Sequence, residues 1–550
     1  MFKKVALLIV LISAFFFFPN HVVSAQNQQL SRPKLVVGIV VDQMRWDYLY
    51  RYYERYGEGG FKRLLNEGFS CENTFINYLP SYTAVGHTVV FTGSVPAIDG
   101  IVGNNWIDQQ TGKNWYCTED PSVQTVGASG DAGQMSPGNL LVSTITDELR
   151  LATNFRSRVV GVSLKDRAAI LPAGHTANGA FWFDDASGRF ITSTYYMKER
   201  PGWAKDFNRE EMPEKLVSEG WHTLYPISTY KQSTADDVSW EGKFKGENAP
   251  AFPHDMKRIY KHDRGSIRTS PFGNTLTLNF AKAAVNGYGL GGGPVTDFLT
   301  VNCASTDYVG HKYGPNSIEV EDTYLRLDKD FAAFFRFLDE KVGRGNYLVF
   351  LTADHGAAHS IGFMQQHQIP ADFLVSKKIH KPLNDLLAEK FGKEGLVTSE
   401  MNYHINFDLK RIGENHLDYE AVKKTTVNFL QRQPGIQFAV DIDHIGDAPI
   451  PEPIKTMIIN GYNTKRCGPV MIIPDPGWFS GHEGGTGTTH GNWNPDDTHI
   501  PLVFMGWGID HGTTNRTVNM TDISPTLAAL LHIQMPNGSV GTPVTELIED

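Results

Sequence analysis

The chain has 550 residues with 50 basic and 60 acidic side chains, and its formal net charge is −10. Its Lys and Arg residues form no clustered stripe or basic tail, which argues against nucleic acid as a tightly held partner. The length allows one large α/β domain with insertions, or two domains.

The N-terminus is predicted to be a secretory signal peptide. Lys3 and Lys4 form a basic start, the run 5–18 is almost purely apolar, and small residues end at Ala25. This pattern predicts a signal peptide over residues 1–25 and a periplasmic or secreted protein. An uncleaved anchor helix is the alternative, but the run is shorter than the about 20 residues that cross a bilayer. No later segment is long and apolar enough, so we expect no membrane span in the mature chain.

Apolar runs alternate with helix-like segments along the mature chain. The run Leu35–Val41 is continuously apolar and rich in β-branched residues, which suits a parallel strand buried on both faces. The alternation predicts an α/β fold with a mostly parallel central sheet and helices on both faces. The other candidates are strands at 158–163, 297–302, 347–351 and 500–504, and helices at about 48–66 and 317–342.

Two regions differ in composition from the rest. Residues of about 180–290 are rich in Trp, Tyr, Gly, Pro and charge, and a hairpin-like stretch lies at 179–193. Residues of about 362–480 contain short elements around Pro-rich turns. We interpret both regions as insertions that form a cap or subdomain of one catalytic domain, residues 26–550.

Acidic and histidine residues follow several of the predicted strands. In open α/β sheets, ligands bind in the crevice beyond the carboxyl ends of the strands, so we expect these side chains to meet there. Asp-x-x-x-His spacing puts a carboxylate and an imidazole on one face of a helical turn. Gly356 permits the turn that an adjacent Asp-His pair needs to enter one cleft. The candidates are Asp42, Asp307, His311, Asp354, His355 and, in a Gly-rich run, His490.

These three Asp and three His supply oxygen and nitrogen ligands suited to zinc, and enough of them for two ions. Two neighbouring metals clamp the attacking and leaving oxygens in phosphoryl transfer. Each residue alone has a simpler interpretation, because an Asp after a strand is often a turn residue or a helix cap. His482 is the main alternative to His490 as a metal ligand. We expect surface or packing roles for His482 and for His359, His367 and His404.

Thr83 lies where an apolar extended run gives way to a helix-like segment, in Tyr82-Thr83-Ala84-Val85-Gly86-His87. A threonine hydroxyl is a weak nucleophile at neutral pH, but coordination to zinc favours its alkoxide. The N–H dipoles at a helix N-terminus would also favour an incoming anion. We therefore expect Thr83 to be both a helix cap and the nucleophile.

Taken in order, Asp42, Thr83, Asp307-x-x-x-His311, Asp354-His355 and His490 resemble the alkaline phosphatase superfamily over most of the mature chain. Three local strings narrow the resemblance to the PafA-type, phosphate-irrepressible bacterial alkaline phosphatases. They are Gly103-Asn104-Asn105-Trp106, Ser163-Leu164-Lys165-Asp166-Arg167-Ala168 and Gly179-Ala180-Phe181-Trp182-Phe183-Asp184. The resemblance implies an alkaline-phosphatase-like fold and hydrolysis of small-molecule phosphate monoesters.

The resemblance also implies two Zn²⁺ sites and a group of phosphoryl-binding residues. One zinc would be held by Asp307, His311 and His490. The second would be held by Asp42, Asp354 and His355, with the Thr83 oxygen bound to it, and Thr83 would form a phosphothreonine intermediate. The phosphoryl oxygens left free by the metals would contact Asn104, Lys165 and Arg167. Sulfatase relatives carry Cys/Ser-x-Pro-x-Arg around the nucleophile, which this chain lacks at Thr83, so sulfatase activity should be at most promiscuous.

Lys165 and Arg167 are expected to decide the substrate class. A monoester dianion has a third non-bridging oxygen, which a compact ammonium and a planar guanidinium can both contact. We expect the two side chains to alternate on one extended segment and therefore to point the same way. A solvated pair after a strand is the simpler interpretation. The alternatives in function are a phosphodiesterase or nucleotide pyrophosphatase of the same superfamily and, further away, a non-catalytic metal- or anion-binding protein.

The cysteines leave one question open. Outside the cytoplasm, the four cysteines would be compatible with one or two disulfides, in any of three full pairings. They are Cys71, Cys117, Cys303 and Cys467. The oligomeric state is also open, although a monomer is compatible with the sequence, and metal selectivity beyond a preference for zinc is not readable.

Overall fold

The computed structural model describes residues 31–548, so the predicted signal peptide lies outside the described residues. In chain order, the strands are β1 Leu35–Val41, β2 Phe69–Phe75, β3 Asn105–Ile107, β4 Asn114–Tyr116, β5 Thr125–Val126, β6 Val159–Val162, β7 Gly179–Asp184, β8 Arg189–Ser193, β9 Asp297–Cys303, β10 Tyr347–Thr352, β11 Asp372–Leu374, β12 Val397–Met401, β13 His404–Phe407, β14 Ile436–Asp441, β15 Val470–Pro474, β16 Trp478–Ser480, β17 His499–Ile500, β18 Leu502–Gly506 and β19 Gly512–Asn519.

Helices connect these strands and cover the sheets. The α-helices of the described chain are Tyr48–Arg51, Phe61–Glu67, Thr83–Thr92, Pro96–Asp99, Ile145–Ala152, Asp166–Ala173, Gly202–Arg209, Met212–Leu216, Met256–His262, Phe272–Tyr288, Ser305–Tyr313, Ile318–Leu338, Ile361–Gln366, Ser376–Phe391, Leu409–Glu414, Tyr419–Leu430, Glu452–Gly461, Pro495–Thr498 and Ile523–Leu531. Within the described residues, no helix combines the length and the apolar character needed to cross a membrane.

The central sheet has eleven strands among the described residues, in the order β17-β2-β18-β10-β1-β9-β6-β7-β8-β5, with β19 beside β2. Its middle is parallel, because β10, β1, β9, β6 and β7 pair in the same direction. Antiparallel strands lie on both sides of this block, and β18 pairs with β10 on one of them. The predicted α/β class with a mostly parallel central sheet is confirmed.

A second, four-stranded sheet has the order β12-β13-β15-β14. It packs with the helices Ser376–Phe391 and Tyr419–Leu430 around its own apolar cluster, which includes Leu383, Ile405 and Val422. Most of this unit falls within the predicted insertion at about 362–480. The division of the chain into one catalytic domain with two insertions stays a prediction.

Most predicted elements form close to their expected bounds, and β1 has the predicted bounds. The predicted helix at 48–66 is wrong, because the chain forms two short α-helices with a 3₁₀ turn between them. The carboxylate of Asp328 explains the break, since it accepts the N–H groups of Gly57 and Phe61 at 2.8 Å each. The predicted strand at 500–504 is divided at Pro501, which has no N–H for a ladder bond.

The four cysteines, whose pairing the sequence left open, form no disulfide among the described residues. All four cysteines are buried free thiols. Cys71 and Cys303 lie in the apolar cluster of the central sheet, and Cys117 and Cys467 lie in a smaller apolar cluster. Burial raises the pKa of the Cys117 thiol to about 12, so it is protonated and inert at ordinary pH.

Candidate functional site

Four adjacent parallel strands deliver polar side chains to one end of the central sheet. Asp354 follows β10, Asp42 follows β1, and Lys165 follows β6. Asp307 follows β9 in the first turn of the helix Ser305–Tyr313. Because the carboxyl ends of parallel strands lie at the same edge, residues far apart in sequence meet there.

Lys165 joins two of these carboxylates. Its Nζ donates to Asp42 Oδ1 at 2.9 Å and to Asp307 Oδ2 at 2.7 Å. All three side chains are almost fully buried. Burial and the nearby Asp354 carboxylate raise the pKa of Asp42 well above its ordinary value. Burial also opposes ionisation of Asp307, but His311 and Lys165 outweigh it and hold the Asp307 pKa well below its usual range.

The helix Ser305–Tyr313 places Asp307 and His311 on one face, as their spacing predicts. His311 Nε2 lies 3.0 Å from Asp307 Oδ1. Gln43 fixes the same carboxylate oxygen, because its Nε2 donates to Asp307 Oδ1 at 2.8 Å. A Cβ at Gly310 would lie 1.9 Å from Gln43 Oε1, so a larger residue there would displace the Gln43 amide.

Backbone carbonyls determine which ring nitrogen carries the proton in three histidines of the site. Because a carbonyl can only accept, each histidine must carry a proton on Nδ1. His311 donates to Thr488 O at 2.9 Å, His355 to Gly356 O at 3.0 Å, and His490 to Ser81 O at 2.7 Å. Burial lowers the pKa of both His355 and His490, which keeps these two rings neutral. Their Nε2 atoms therefore present lone pairs.

These lone pairs face carboxylate oxygens. His490 Nε2 lies 3.7 Å from Asp307 Oδ1, and His355 Nε2 lies 3.3 Å from Asp354 Oδ2. The rings of His355 and His490 are stacked with their centroids 3.4 Å apart. Asp354 Oδ2 is buried, and no group of the described residues donates a well-directed hydrogen bond to it. Acceptors that face acceptors in a buried site need a cation between them, so this donor set fits metal ions.

The distances between candidate metal ligands group them into two trios that differ in part from the two predicted sets. One ligand atom from each of Asp307, His355 and His490 lies within 4.8 Å of the others, and the same holds for Asp42, His87 and Asp354. The prediction placed His355 with the second trio and did not include His87. Since His87 Nδ1 also lies 2.9 Å from the carbonyl of Thr83, this nitrogen is a donor rather than a metal ligand. His87 Nδ1 lies 3.3 Å from Asp354 Oδ2, where it can orient that carboxylate.

Thr83 is the first residue of the buried helix Thr83–Thr92. Its Oγ1 lies 3.4 Å from His355 Nε2, at the edge of the carboxylate–histidine cluster. The predicted capping role of Thr83 is wrong, because Tyr82 is the N-cap residue and no side chain in the described part of the chain caps this helix. The hydroxyl is directed to the cluster instead. Gly86 lets the helix approach closely, since a Cβ there would lie 2.2 Å from the Asp354 carbonyl oxygen.

Asn104 and Arg167 lie beside the start of this helix. Asn104 Oδ1 accepts the Ala84 N–H at 3.0 Å, and Arg167 Nη1 donates to Tyr116 Oη at 3.1 Å. The expectation that Lys165 and Arg167 alternate on one extended segment is wrong, because a helix begins at Asp166 and only Lys165 is extended. An acidic residue in the first turn favours a helix start at this point. Arg167 is still close enough to Lys165 for the two charges to interact.

The loop that carries His490 is held by Asp497. Asp497 Oδ2 accepts the Asn492 N–H at 2.7 Å, and the Asp497 carbonyl accepts the Gly356 N–H at 2.7 Å. One residue thus supports the loops of both His490 and His355. His482, the rival ligand in the same Gly-rich region, is exposed.

Sequence reasoning missed three residues of the site. His87 is four positions after Thr83, a helical spacing that could have indicated it. Asn302 lies within β9, where its Nδ2 donates to Asp42 Oδ2 at 3.2 Å. Gln43 has a left-handed backbone, with φ 62°, and its N–H donates to Asp354 Oδ1 at 3.1 Å. No sequence signal shows that a glutamine adopts this backbone, which occurs mainly where surrounding structure enforces it.

Comparison with known proteins identifies the family. The profile of the Type I phosphodiesterase / nucleotide pyrophosphatase family matches residues 36–496. Alkaline phosphatase PafA of Elizabethkingia meningoseptica is 56% identical over 525 residues, which is 95% of this chain and 96% of that protein. The chain belongs to the PafA-type alkaline phosphatase family. The predicted family and enzyme class are confirmed.

Further relatives and a solved structure agree with this membership. The crystal structure of wild-type PafA aligns with a TM-score of 0.93 and 56% identity, over 94% of this chain and 99% of that chain. Alkaline phosphatase PhoV of Synechococcus elongatus is 54% identical over 95% of this chain and 94% of that protein. A protein of Myroides odoratus named calcium-transporting ATPase is 54% identical over 95% of this chain and 96% of its own length.

Proposed function

We propose that this protein is an exported, zinc-dependent alkaline phosphatase that hydrolyses small-molecule phosphate monoesters with Thr83 as its nucleophile. One observation carries the proposal: the Thr83 hydroxyl, at the start of a buried helix, lies 3.4 Å from His355 Nε2 at the edge of a cluster of three Asp and three His residues. The Nδ1 atoms of the three histidines are committed to backbone carbonyls. A capping role cannot account for this arrangement, since the helix cap is Tyr82.

Two zinc ions suit the donor set. Asp307, His311 and His490 would hold one ion, and Asp42, Asp354 and His355, together with the Thr83 oxygen, would hold the other. When bound, zinc lowers the pKa of a coordinated hydroxyl and neutralises negative charge on the attacking and leaving oxygens. The buried carboxylates and the carbonyl-oriented imidazoles give each ligand a fixed direction before any ion binds.

The reaction proceeds by two displacements at phosphorus. Thr83 Oγ loses its proton and attacks in line, its bond to phosphorus forms, and the ester P–O bond breaks; the departing alkoxide takes up a proton and leaves as the alcohol. Water then attacks the phosphothreonine, the Thr83 O–P bond breaks, and inorganic phosphate leaves. The helix Thr83–Thr92 presents its N-terminal end to the phosphoryl anion, which favours negative charge at this position. Positioning and charge stabilisation carry most of such a reaction.

Asn104, Lys165 and Arg167 contact the phosphoryl oxygens in this proposal. Asn104 uses its oxygen on Ala84 N–H, which leaves its amide hydrogens for the substrate. Arg167 retains unused donors, because its Nε is buried without a partner among the described residues. Lys165 is positioned by Asp42 and Asp307. These donors match a dianionic monoester, whereas the extra alkyl group of a diester would occupy the place where they reach.

The decisive test compares kcat/KM for an aryl phosphate monoester and its matched diester on purified, zinc-loaded protein. We expect a large preference for the monoester and near-complete loss of turnover in Thr83→Ala with zinc retained. A preference for the diester would move the enzyme to the phosphodiesterase branch. Full activity in Thr83→Ala would remove Thr83 as the nucleophile, and no turnover of either ester would favour a non-catalytic binding protein.

The same chemistry extends to the terminal phosphoryl group of ATP, which is a dianion like that of a monoester. An ATPase activity of the kind named for the Myroides relative would therefore need no different site. ATP turnover that disappears in Thr83→Ala would place both activities in this one centre.

Export and domain layout complete the proposal. Residues 1–25 are a signal peptide, and residues 26–550 are one catalytic domain with insertions at about 180–290 and 362–480, found in the periplasm or secreted. N-terminal sequencing of the protein from the periplasm and the medium tests this proposal, and a chain that still begins at Met1 would contradict it.

A further inference from the structure

A large cavity shares a wall with the catalytic centre. It has a volume of about 1030 Å³ and is lined in part by Tyr308 and Lys312, which lie on the same helix as Asp307 and His311. The Tyr308 ring forms the shared wall. Lys165 Nζ lies 5.0 Å from its centroid, and Arg268 Cζ, which lines the cavity, lies 5.7 Å from it. A substrate held beside Lys165 therefore has this cavity as its neighbour.

Most of the ionisable side chains that line the cavity are basic. Its basic residues are Lys245, Arg258, His262, Arg268 and Lys312, and its acidic residues are Asp185 and Asp263. Both carboxylates are already engaged. Asp185 Oδ1 accepts from Arg268 Nε at 2.7 Å, and Asp263 Oδ1 accepts the Gly265 N–H at 3.0 Å. The lining therefore holds more positive charge than its own carboxylates neutralise.

Two of the cations have no carboxylate partner. Within the described residues, neither Lys245 nor Lys312 has a carboxylate oxygen within 4.0 Å. Lys312 Nζ instead lies 4.8 Å from the centroid of the Phe244 ring, which also lines the cavity. Unpaired cations beside an aromatic wall suit a ligand that combines an anionic group with a short organic linker.

We propose that this cavity is a subsite for a second phosphoryl group, carried by the leaving group of a monoester whose first phosphoryl group occupies the catalytic centre. The preferred substrates are then small molecules with two or more phosphoryl groups. This inference rests on the proposed function and narrows its substrate class. A phosphate group offers three terminal oxygens to the ammonium of Lys245 and to the guanidinium of Arg258, whose Nε lies 3.4 Å from Asp255 Oδ2 and whose Nη1 lies beside Gly246.

The test uses α,ω-alkanediol bisphosphates of increasing chain length and the matching monophosphates. A bisphosphate has a statistical advantage in kcat/KM over the matching monophosphate, because it has two equivalent ends. We expect the kcat/KM ratio of bisphosphate to monophosphate to rise well above this statistical advantage at one optimal chain length. Two partly exposed contacts of this kind give a gain of about three- to thirtyfold. The double variant Lys245→Gln/Arg258→Gln should lose this gain.

A matched control is available on the surface of the unit that contains the four-stranded sheet. Lys410, whose side chain is 83% exposed, lies on the helix Leu409–Glu414, and Lys410→Gln should leave the ratio unchanged. A wild-type ratio that is flat across chain lengths, or a ratio that the double variant does not alter, would overturn the subsite. Failure of the proposed function looks different, because monophosphate turnover itself would then be absent.

Calorimetric titration of the optimal bisphosphate into Thr83→Ala protein provides a second readout that needs no turnover. We expect tighter binding of the bisphosphate than of the monophosphate, and loss of the difference when Lys245→Gln/Arg258→Gln is added. Equal affinities for the two ligands in Thr83→Ala protein would reject the subsite independently of catalysis.

Discussion

Lys165 Nζ lies 2.7 Å from Asp307 Oδ2, and the same ammonium donates to Asp42 at 2.9 Å. These carboxylates belong to the two different zinc sets that we propose. The single buried ammonium thus links both halves of the centre and balances part of its negative charge. Breaking such a buried pair costs more than the pair contributes, because the remaining charge is left uncompensated.

Removal of Lys165 should therefore affect catalysis strongly. We expect Lys165→Ala to lower kcat/KM for a monoester by about 10²-fold, in the range seen when one charge-stabilising donor is lost. Lys165→Arg retains the charge but not the compact geometry, so it should recover only part of the loss. Steady-state kinetics on zinc-loaded protein measures both, and an unchanged kcat/KM in Lys165→Ala would contradict the role.

Arg167 should distinguish monoesters from diesters. Its proposed contact is to an oxygen that carries charge in a monoester and an alkyl group in a diester. We expect Arg167→Ala to reduce kcat/KM for the monoester by about 10-fold or more and for the diester far less. Parallel assays with both esters test this, and equal losses would count against a phosphoryl contact.

Chelation should abolish activity, because the Nε2 lone pairs of His355 and His490 face carboxylate oxygens and fit a cation between them. Added zinc should restore it. Metal analysis should find two zinc ions per chain in the wild type and fewer in Asp307→Asn. Chelator-resistant turnover by metal-free protein would show that the zinc interpretation is wrong.

Gly86 should be intolerant of even one methyl group. A Cβ there would lie 2.2 Å from the Asp354 carbonyl oxygen and 2.7 Å from its Cβ, so the helix Thr83–Thr92 must shift. We expect Gly86→Ala to destabilise the protein by about 1–3 kcal/mol and to lower kcat. Gly413→Ala is the control, because its added Cβ would meet no other part of the described chain within 4 Å and alanine in a helix is favoured by about 0.5–1 kcal/mol. Thermal unfolding of both variants provides the comparison.

A buried cluster outside the catalytic centre should make stability depend on pH. Burial and the neighbouring Glu319 raise the pKa of Glu241 from 4.5 to about 10. Hydrogen bonds to Glu247 and Glu319 outweigh burial and raise the pKa of His254 from 6.5 to about 9. A raised pKa means that the folded state holds the proton more tightly. The contribution of these bound protons to the free energy of unfolding is fully present below the pKa of the unfolded state. It is lost as pH rises through the pKa of the folded state.

The free energy of unfolding should therefore fall as pH rises from about 5 to about 10, the folded-state pKa of Glu241. The side chain at position 241 cannot ionise in Glu241→Gln. The free energy of unfolding of this variant should therefore fall by about 1–3 kcal/mol less than that of the wild type over this pH range. Unfolding at several pH values, with zinc held constant, measures the difference. Glu199→Gln, with a side chain 81% exposed, is the control and should behave like the wild type. Parallel pH profiles for Glu241→Gln and the wild type would reject the assignment.

The alternation of apolar runs and helices was enough to predict the α/β class and most strand bounds. β1 formed over Leu35–Val41 as expected, because an apolar, β-branched run of this length is typical of a parallel strand buried on both faces. The helix expected at 48–66 failed because Asp328, far away in sequence, captures two of its backbone N–H groups. Local patterns contain no information on such competition.

For the candidate site, the order of Asp42, Thr83, Asp307, Asp354 and His490 along the chain indicated the family and the type of ligands. The sequence also placed Asp307 and His311 on one helical face, because a spacing of four residues is a local property. It could not indicate Gln43, whose left-handed backbone and side-chain contacts depend on the fold.

The sequence by itself thus determined the class of fold and the types of residue available for catalysis, since these follow from local periodicity and from residues at strand ends. It indicated the family through the resemblance of its ordered motifs to the alkaline phosphatase superfamily. The tertiary structure alone decided which nitrogen of each histidine carries its proton and how Lys165 links two carboxylates. Such details depend on distances between distant parts of the chain. Lys165 and Asp307 are 142 positions apart, and only the parallel pairing of β6 with β9 brings them together.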